Sequence, residues 1–262
     1  MDEQYKNTEL RISCLNKELT LNFCAEKLRK VLLYAYCGNN PVNRIDPDGR
    51  EWKIKDDEEY AKQLSQEMAK RKEELWTTAM KKLDQYRKAT GNSNKEKAEK
   101  IKSEMQGIGA DMKNMDDGIS ELTAMGETKD QIFTYNKVDG DKGDAGIEDG
   151  IIVMNISGNG SIANGIHEST HGYDLWKNGG NTKNNYLGRE VKAYQRQFSY
   201  AQSSLPTSYI DNFTSIGSIG LITNDWVLGI RTSSGKYPYI DFKAQKNISD
   251  YTLYLNLLKK RK

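Results

Sequence analysis

Between residues 51 and 130 the chain carries two apolar runs at helical spacing, separated by Gly91-Asn92-Ser93-Asn94. In the first, Leu64, Met68, Leu75, Ala79, Leu83 and Tyr86 recur on one helix face. In the second, Ala98, Ile101, Met105, Ile108, Met112, Met115, Ile119 and Leu122 alternate in steps of three and four. Such a repeat gives a helix one apolar stripe, which must be buried against a partner. The breaker between the runs keeps that partner close in sequence. The spacing therefore predicts a long helical hairpin over 51–130. The methionines suit a pliable binding face, and equally an ordinary helix seam.

The rest of the chain is too polar for a membrane span. Hydrophobic residues make up 36% and charged residues 29% of 262 positions, and no apolar run approaches about 18 residues. Thirty-nine Lys and Arg against 37 Asp and Glu give a formal charge of +2, so nucleic acid is not the expected partner. Cys14, Cys24 and Cys37 all lie in the first 50 residues, which argues against a disulfide scaffold or a Cys-ligated metal further on. The start, Met1-Asp2-Glu3-Gln4, is polar and acidic, and no signal peptide is expected here.

Beyond the hairpin, Gln131–Val138 and Gly150–Ile156 read as strands. The Gly-rich acidic segment Asp139–Gly146 between them reads as a hairpin loop. It does not fit an EF-hand, because Gly143 stands where a ligand is required. Ser161–Lys177 and Tyr186–Gln202 read as helices, Trp226–Arg231 and Tyr237–Phe242 as short strands, and Tyr251–Leu258 as a final helix. The expected fold class is α+β. Three regions follow: 1–50, the hairpin at 51–130, and a small sheet with helices at 131–262.

The chain has two histidines, and they stand four apart in His167-Glu168-Ser169-Thr170-His171. On a helix that spacing puts both imidazoles on one face. Two such imidazoles bind one zinc ion (Zn2+), and the Glu between them serves as general base. A catalytic zinc takes three protein ligands and a water. No third histidine exists, so the third ligand is expected to be a carboxylate. Past Glu168 the one remaining Glu is Glu190, 19 residues after His171. It lies at the edge of the apolar stripe Leu187, Val191, Tyr194 and Phe198 on the next helix. Asp174 is the alternative, but three ligands in succession on one straight helix fit a tetrahedron poorly.

Strand, turn and H-E-x-x-H helix in this order resemble the zincin metallopeptidases. Lys177 stands where a metzincin has its third His. A downstream helix-borne Glu resembles the gluzincin pattern. The resemblance implies a zincin-like fold and hydrolysis of a protein or peptide by water that zinc activates and Glu168 deprotonates. Gluzincins often carry an Asp four residues after that Glu; here Tyr194 occupies the position, so support of a histidine must come from elsewhere, with Asp174 a candidate. Tyr194, Tyr209, Tyr239 and Arg231 are candidates for stabilising an oxyanion, and nothing in the sequence chooses between them.

The turn-rich run Tyr34-Ala35-Tyr36-Cys37-Gly38-Asn39-Asn40-Pro41-Val42-Asn43, closed by Asp46-Pro47-Asp48-Gly49, resembles the closing motif of RHS/YD-repeat cores. In that family a variable toxin domain follows the motif. The repeats that should precede it are absent. The resemblance implies an effector domain, secreted or delivered into a neighbouring cell, with a cognate immunity protein as a possible partner. A reading from a different class makes the hairpin a protein-interaction module with a structural or inactive metal site.

Overall fold

Both apolar runs of the hairpin region form helices, α1 (Lys55–Gly91) and α2 (Lys95–Glu127). The computed structural model describes residues 52–140, 143–158, 161–180, 185–206, 208, 217–231 and 238–239. The RHS-like run, Tyr209 and Tyr251–Leu258 lie outside the described residues, as does most of the strand expected over Tyr237–Phe242. Asn94 caps α2 by accepting from the Lys97 N–H, and Ser93 takes a left-handed conformation at the turn. Lys82 pairs with Glu104 at 2.6 Å, and Lys72 pairs with Asp116. These nested pairs mark two antiparallel helices in register about the turn.

The hairpin changes partners along its length. At the turn end, Ala89, Ala98 and Ile101 form a small cluster with Tyr86 and Met105. At the other end, Leu64, Met68, Met115, Leu122 and Met125 share one core with Phe133, Ile152, Met154, Ile156, Ile166 and Leu175. Those residues come from the sheet and from the helix carrying both histidines.

The sheet has three strands, β1 (Ile132–Lys137), β2 (Asp144–Glu148) and β3 (Ile151–Ile156), in the order β1-β3-β2. β3 pairs parallel with β1 and antiparallel with β2. The hairpin loop expected between β1 and β3 is therefore not what forms. The chain leaves β1, becomes the edge strand β2, and turns back into the middle as β3. Asp149 and Gly150 make that turn, both at positive φ (49° and 82°), the backbone that two-residue hairpins require. The outer edge of β1 is covered from the start of the hairpin. Lys53 N–H donates to Phe133 O at 2.9 Å. The buried Asp57 carboxylate accepts from Thr134 Oγ1 and from Tyr135 N–H.

A short turn leads from β3 into α3 (Ile162–Lys177), whose cap Ser161 accepts from Asn164 N–H. α3 is largely buried, with eleven of its 16 residues inside. Gly165 lets α1 approach: a Cβ there would stand 2.3 Å from Tyr60 Oη and 2.9 Å from Leu64 Cδ2. α4 (Tyr186–Tyr200) packs on α3. Leu187, Tyr194 and Phe198 of α4 enter a second cluster with Ile222, Trp226, Val227, Leu228 and Ile230.

Trp226–Arg231 is not a strand. Asn224–Leu228 forms a short helix, α5. Thr223 caps it by accepting from Trp226 N–H, and Gly229 ends it. Ile230 alone makes a β-bridge, to Ser208. The architecture is α+β: mostly helix, one small mixed sheet, and a helical hairpin in front.

Candidate metal centre

α3 carries His167 and His171 one turn apart on the face that meets α4, and α4 supplies Glu190. All three are buried, at 4%, 8% and 7% exposure. His167 Nε2 and His171 Nε2 lie 3.1 Å apart. Glu190 Oε2 is 3.6 Å from His167 Nε2, and Glu190 Oε1 is 3.4 Å from His171 Nε2. These three residues form a group able to hold a metal ion. Zinc–ligand distances of about 2.0–2.2 Å place tetrahedral vertices roughly 3.3–3.6 Å apart. The triangle has nearly that size, so the donor set fits a tetrahedral zinc with one vertex left over.

Two buried oxygens at this point have no hydrogen-bond partner among the described residues: Glu190 Oε2 and Glu168 Oε2. An unpartnered buried carboxylate oxygen is costly, and a cation removes the cost. Burial opposes ionisation of Glu190, but the two imidazoles overcome it and hold its carboxyl well below the usual carboxylate range. Burial works against a charged His167 as well. The neighbouring Glu190 carboxylate and the charge of Glu168 outweigh it and raise the His167 pKa. For Glu168 burial wins over the neighbouring imidazoles, and its pKa rises.

Glu168 is held at one oxygen only. Asn164, one turn earlier on α3, donates from Nδ2 to Glu168 Oε1 at 3.3 Å. Asn164 Oδ1 in turn accepts from Ser157 N–H at 2.7 Å and from Ser157 Oγ at 3.1 Å. The carboxamide is thus oriented by backbone at the end of β3. Gly143, just before β2, lies against the same group. A Cβ there would stand 2.4 Å from Glu168 Oε1 and 2.7 Å from Asn164 Oδ1, so only glycine lets the edge strand start so close.

Asp174 plays neither role suggested for it. Its carboxylate takes Lys192 Nζ at 2.6 Å, with Arg189 Nε 4.0 Å away. It ties α3 to α4 as an ion pair and is absent from the ligand group. His167 is supported instead by Gln197, whose Oε1 faces His167 Nδ1 at 3.0 Å. Tyr194 lies edge-on to the His167 ring at 4.3 Å between centroids. Its hydroxyl pairs with that of Tyr239 at 2.6 Å. Arg231 is exposed after the Ile230 bridge.

The crossing of α3 and α4 is fixed from below by Arg196, at 3% exposure. Its guanidinium forks onto Glu121 of α2 and reaches Thr170 Oγ1 of α3 at 3.2 Å. The structure brings together His167, His171 and Glu190, the three residues expected as ligands, and buries Glu168 on the same helix as the histidines. Sequence reasoning missed Asn164, Gln197, Arg196 and Gly143, of which only the spacing of Asn164, one turn before Glu168, left any trace. Comparison of the chain with protein-family models, curated proteins and solved structures finds no match.

Proposed function

We propose that this chain is a zinc-dependent metallopeptidase, acting as the toxin or effector domain of an RHS-type protein. The observation that carries the hydrolase reading is the pairing of a His-His-Glu triangle of zinc dimensions with a separate buried carboxylate, Glu168, free at one oxygen. A structural zinc site closes all four positions with protein, whereas a catalytic one leaves a position to water. The triangle offers three.

His167, His171 and Glu190 would hold the ion, which when bound supplies Lewis-acid activation of a water and of a carbonyl group. Glu168 Oε2 takes one proton from the attacking water as its oxygen bonds to the peptide carbonyl carbon. When the C–N bond breaks, Glu168 delivers that proton to the departing amine nitrogen. Asn164 engages Glu168 Oε1, which leaves Oε2 to carry the proton. The effector part of the reading rests on the RHS-like run at 34–50, and a cognate immunity protein goes with it.

The alternative makes the helical hairpin an interaction module. It has less support, because Leu64, Met68, Met115, Leu122 and Met125 of its seam are buried in the core behind α3. The test is growth of bacteria expressing the full chain, wild type against Glu168→Gln, with zinc content measured on both. The wild type is expected to arrest growth. The variant is expected to hold zinc and to lose activity about 10²–10⁴-fold, the usual worth of a general base. A fully active Glu168→Gln chain would overturn the mechanism.

A further inference from the structure

One side chain next to the ligands has its hydrogen-bond polarity fixed by backbone. Gln197 Nε2 lies 2.8 Å from Ser204 O and 3.2 Å from Ser204 Oγ. A carbonyl oxygen can only accept, so the atom facing it must be the NH2 group. Ser204 Oγ gives its own hydrogen to Ala201 O at 2.6 Å, so it too accepts from Gln197. The other end of the carboxamide is then the oxygen, which can only accept. It faces His167 Nδ1 at 3.0 Å, so that nitrogen carries the hydrogen. A neutral imidazole with Nδ1–H has its lone pair on Nε2. That is the atom turned toward His171 and Glu190.

We propose that Gln197 is a positioning residue: oriented by Ser204, it holds His167 in the Nδ1–H tautomer and keeps the Nε2 lone pair aimed at the metal point. This rests on the zinc reading above and adds to it a residue on α4, seven positions past Glu190. The 3₁₀ turn Gln202–Ser204 that follows α4 is what brings the Ser204 carbonyl back over Gln197. Gln197 is 6% exposed, so water does not readily replace it. The support it gives is a neutral acceptor, where a carboxylate would push more electron density into the ring.

Two substitutions separate this role from a purely structural one. Gln197→Met removes both the acceptor for His167 and the tie to Ser204. Gln197→Glu keeps an acceptor for His167 and loses the tie. Zinc affinity of the full chain is measured by competition with a chromogenic chelator, with circular dichroism on each variant. Gln197→Met is expected to bind zinc 10–100-fold more weakly, the usual loss for such support, while Gln197→Glu stays within a few-fold of wild type or binds tighter. Equal losses in both variants, or none in Gln197→Met, overturn the inference. Nitrogen-15 spectra of the zinc-loaded wild type give a second readout, simple with two histidines in the chain. They are expected to show hydrogen on His167 Nδ1. Hydrogen on Nε2 overturns the inference whether or not Gln197→Met folds. A wild type that binds no zinc removes the metal reading and this inference together. A wild type that binds zinc as tightly as Gln197→Met removes the inference alone.

Discussion

At the scale of single residues, the site divides by how much chemistry each type advertises. Two histidines four apart, in a chain with no others, point to a metal without help from the fold. Glu190 was legible because no other Glu follows Glu168. Asn164 and Gln197 were not, because carboxamides are common on surfaces and nothing in a sequence shows which one is oriented by backbone. Their roles appear only when Ser157 and Ser204 come into reach. Asn164 also satisfies the buried Ser157 N–H, so Asn164→Leu is expected to cost about 1–3 kcal/mol of stability. Denaturant unfolding checks it, and an unchanged midpoint would show that the Ser157 N–H finds another acceptor.

Among the elements, the hairpin was readable because a 3-4 repeat sustained over many turns has one structural outcome. Strand pairing was not. β1 and β3 are parallel because β2 takes the outer position, and no local pattern encodes strand order. The turn itself was signalled by Asp149-Gly150 between Ile147 and Ile151, a pair suited to a two-residue hairpin. The composition of Asp139–Gly146 hid β2, which is short and at an edge. Trp226-Val227-Leu228 misled because a brief apolar run fits a buried strand or a buried helix, and the Thr223 cap decides for helix.

Two element contacts carry predictions. Glu121→Leu leaves the buried Arg196 charge without its carboxylate and is expected to cost about 3–5 kcal/mol. Pairing it with Arg196→Met should recover much of that loss; thermal unfolding of the single and double variants tests both. Gly165→Val pushes into Tyr60 and Leu64 and is expected to cost about 1–3 kcal/mol. A neutral result would mean that α1 shifts freely over α3.

For the whole molecule, the hairpin end near the sheet and α3 share one core. Phe133, Met154 and Ile166 lie in the same cluster as Leu64, Met68 and Met115. A fragment of residues 131–262 would expose that surface. It is expected to lack the cooperative thermal transition of the full chain, by circular dichroism. A fragment that melts cooperatively would show that the sheet and α3 fold without the hairpin. In the sequence a boundary falls at 130, where charge and periodicity change. Periodicity marks where a helix stops, and it does not say what the helix packs on.

We propose that α3 and α4 together make a three-ligand zinc site. Zinc content of the purified full chain at neutral pH, wild type beside Glu190→Ala and the His167→Ala/His171→Ala double variant, tests it most directly. The expected result is one zinc per wild-type chain, much weaker binding in Glu190→Ala and none in the double variant. Wild-type protein without zinc, or zinc retained at full affinity when Glu190 is removed, would contradict it.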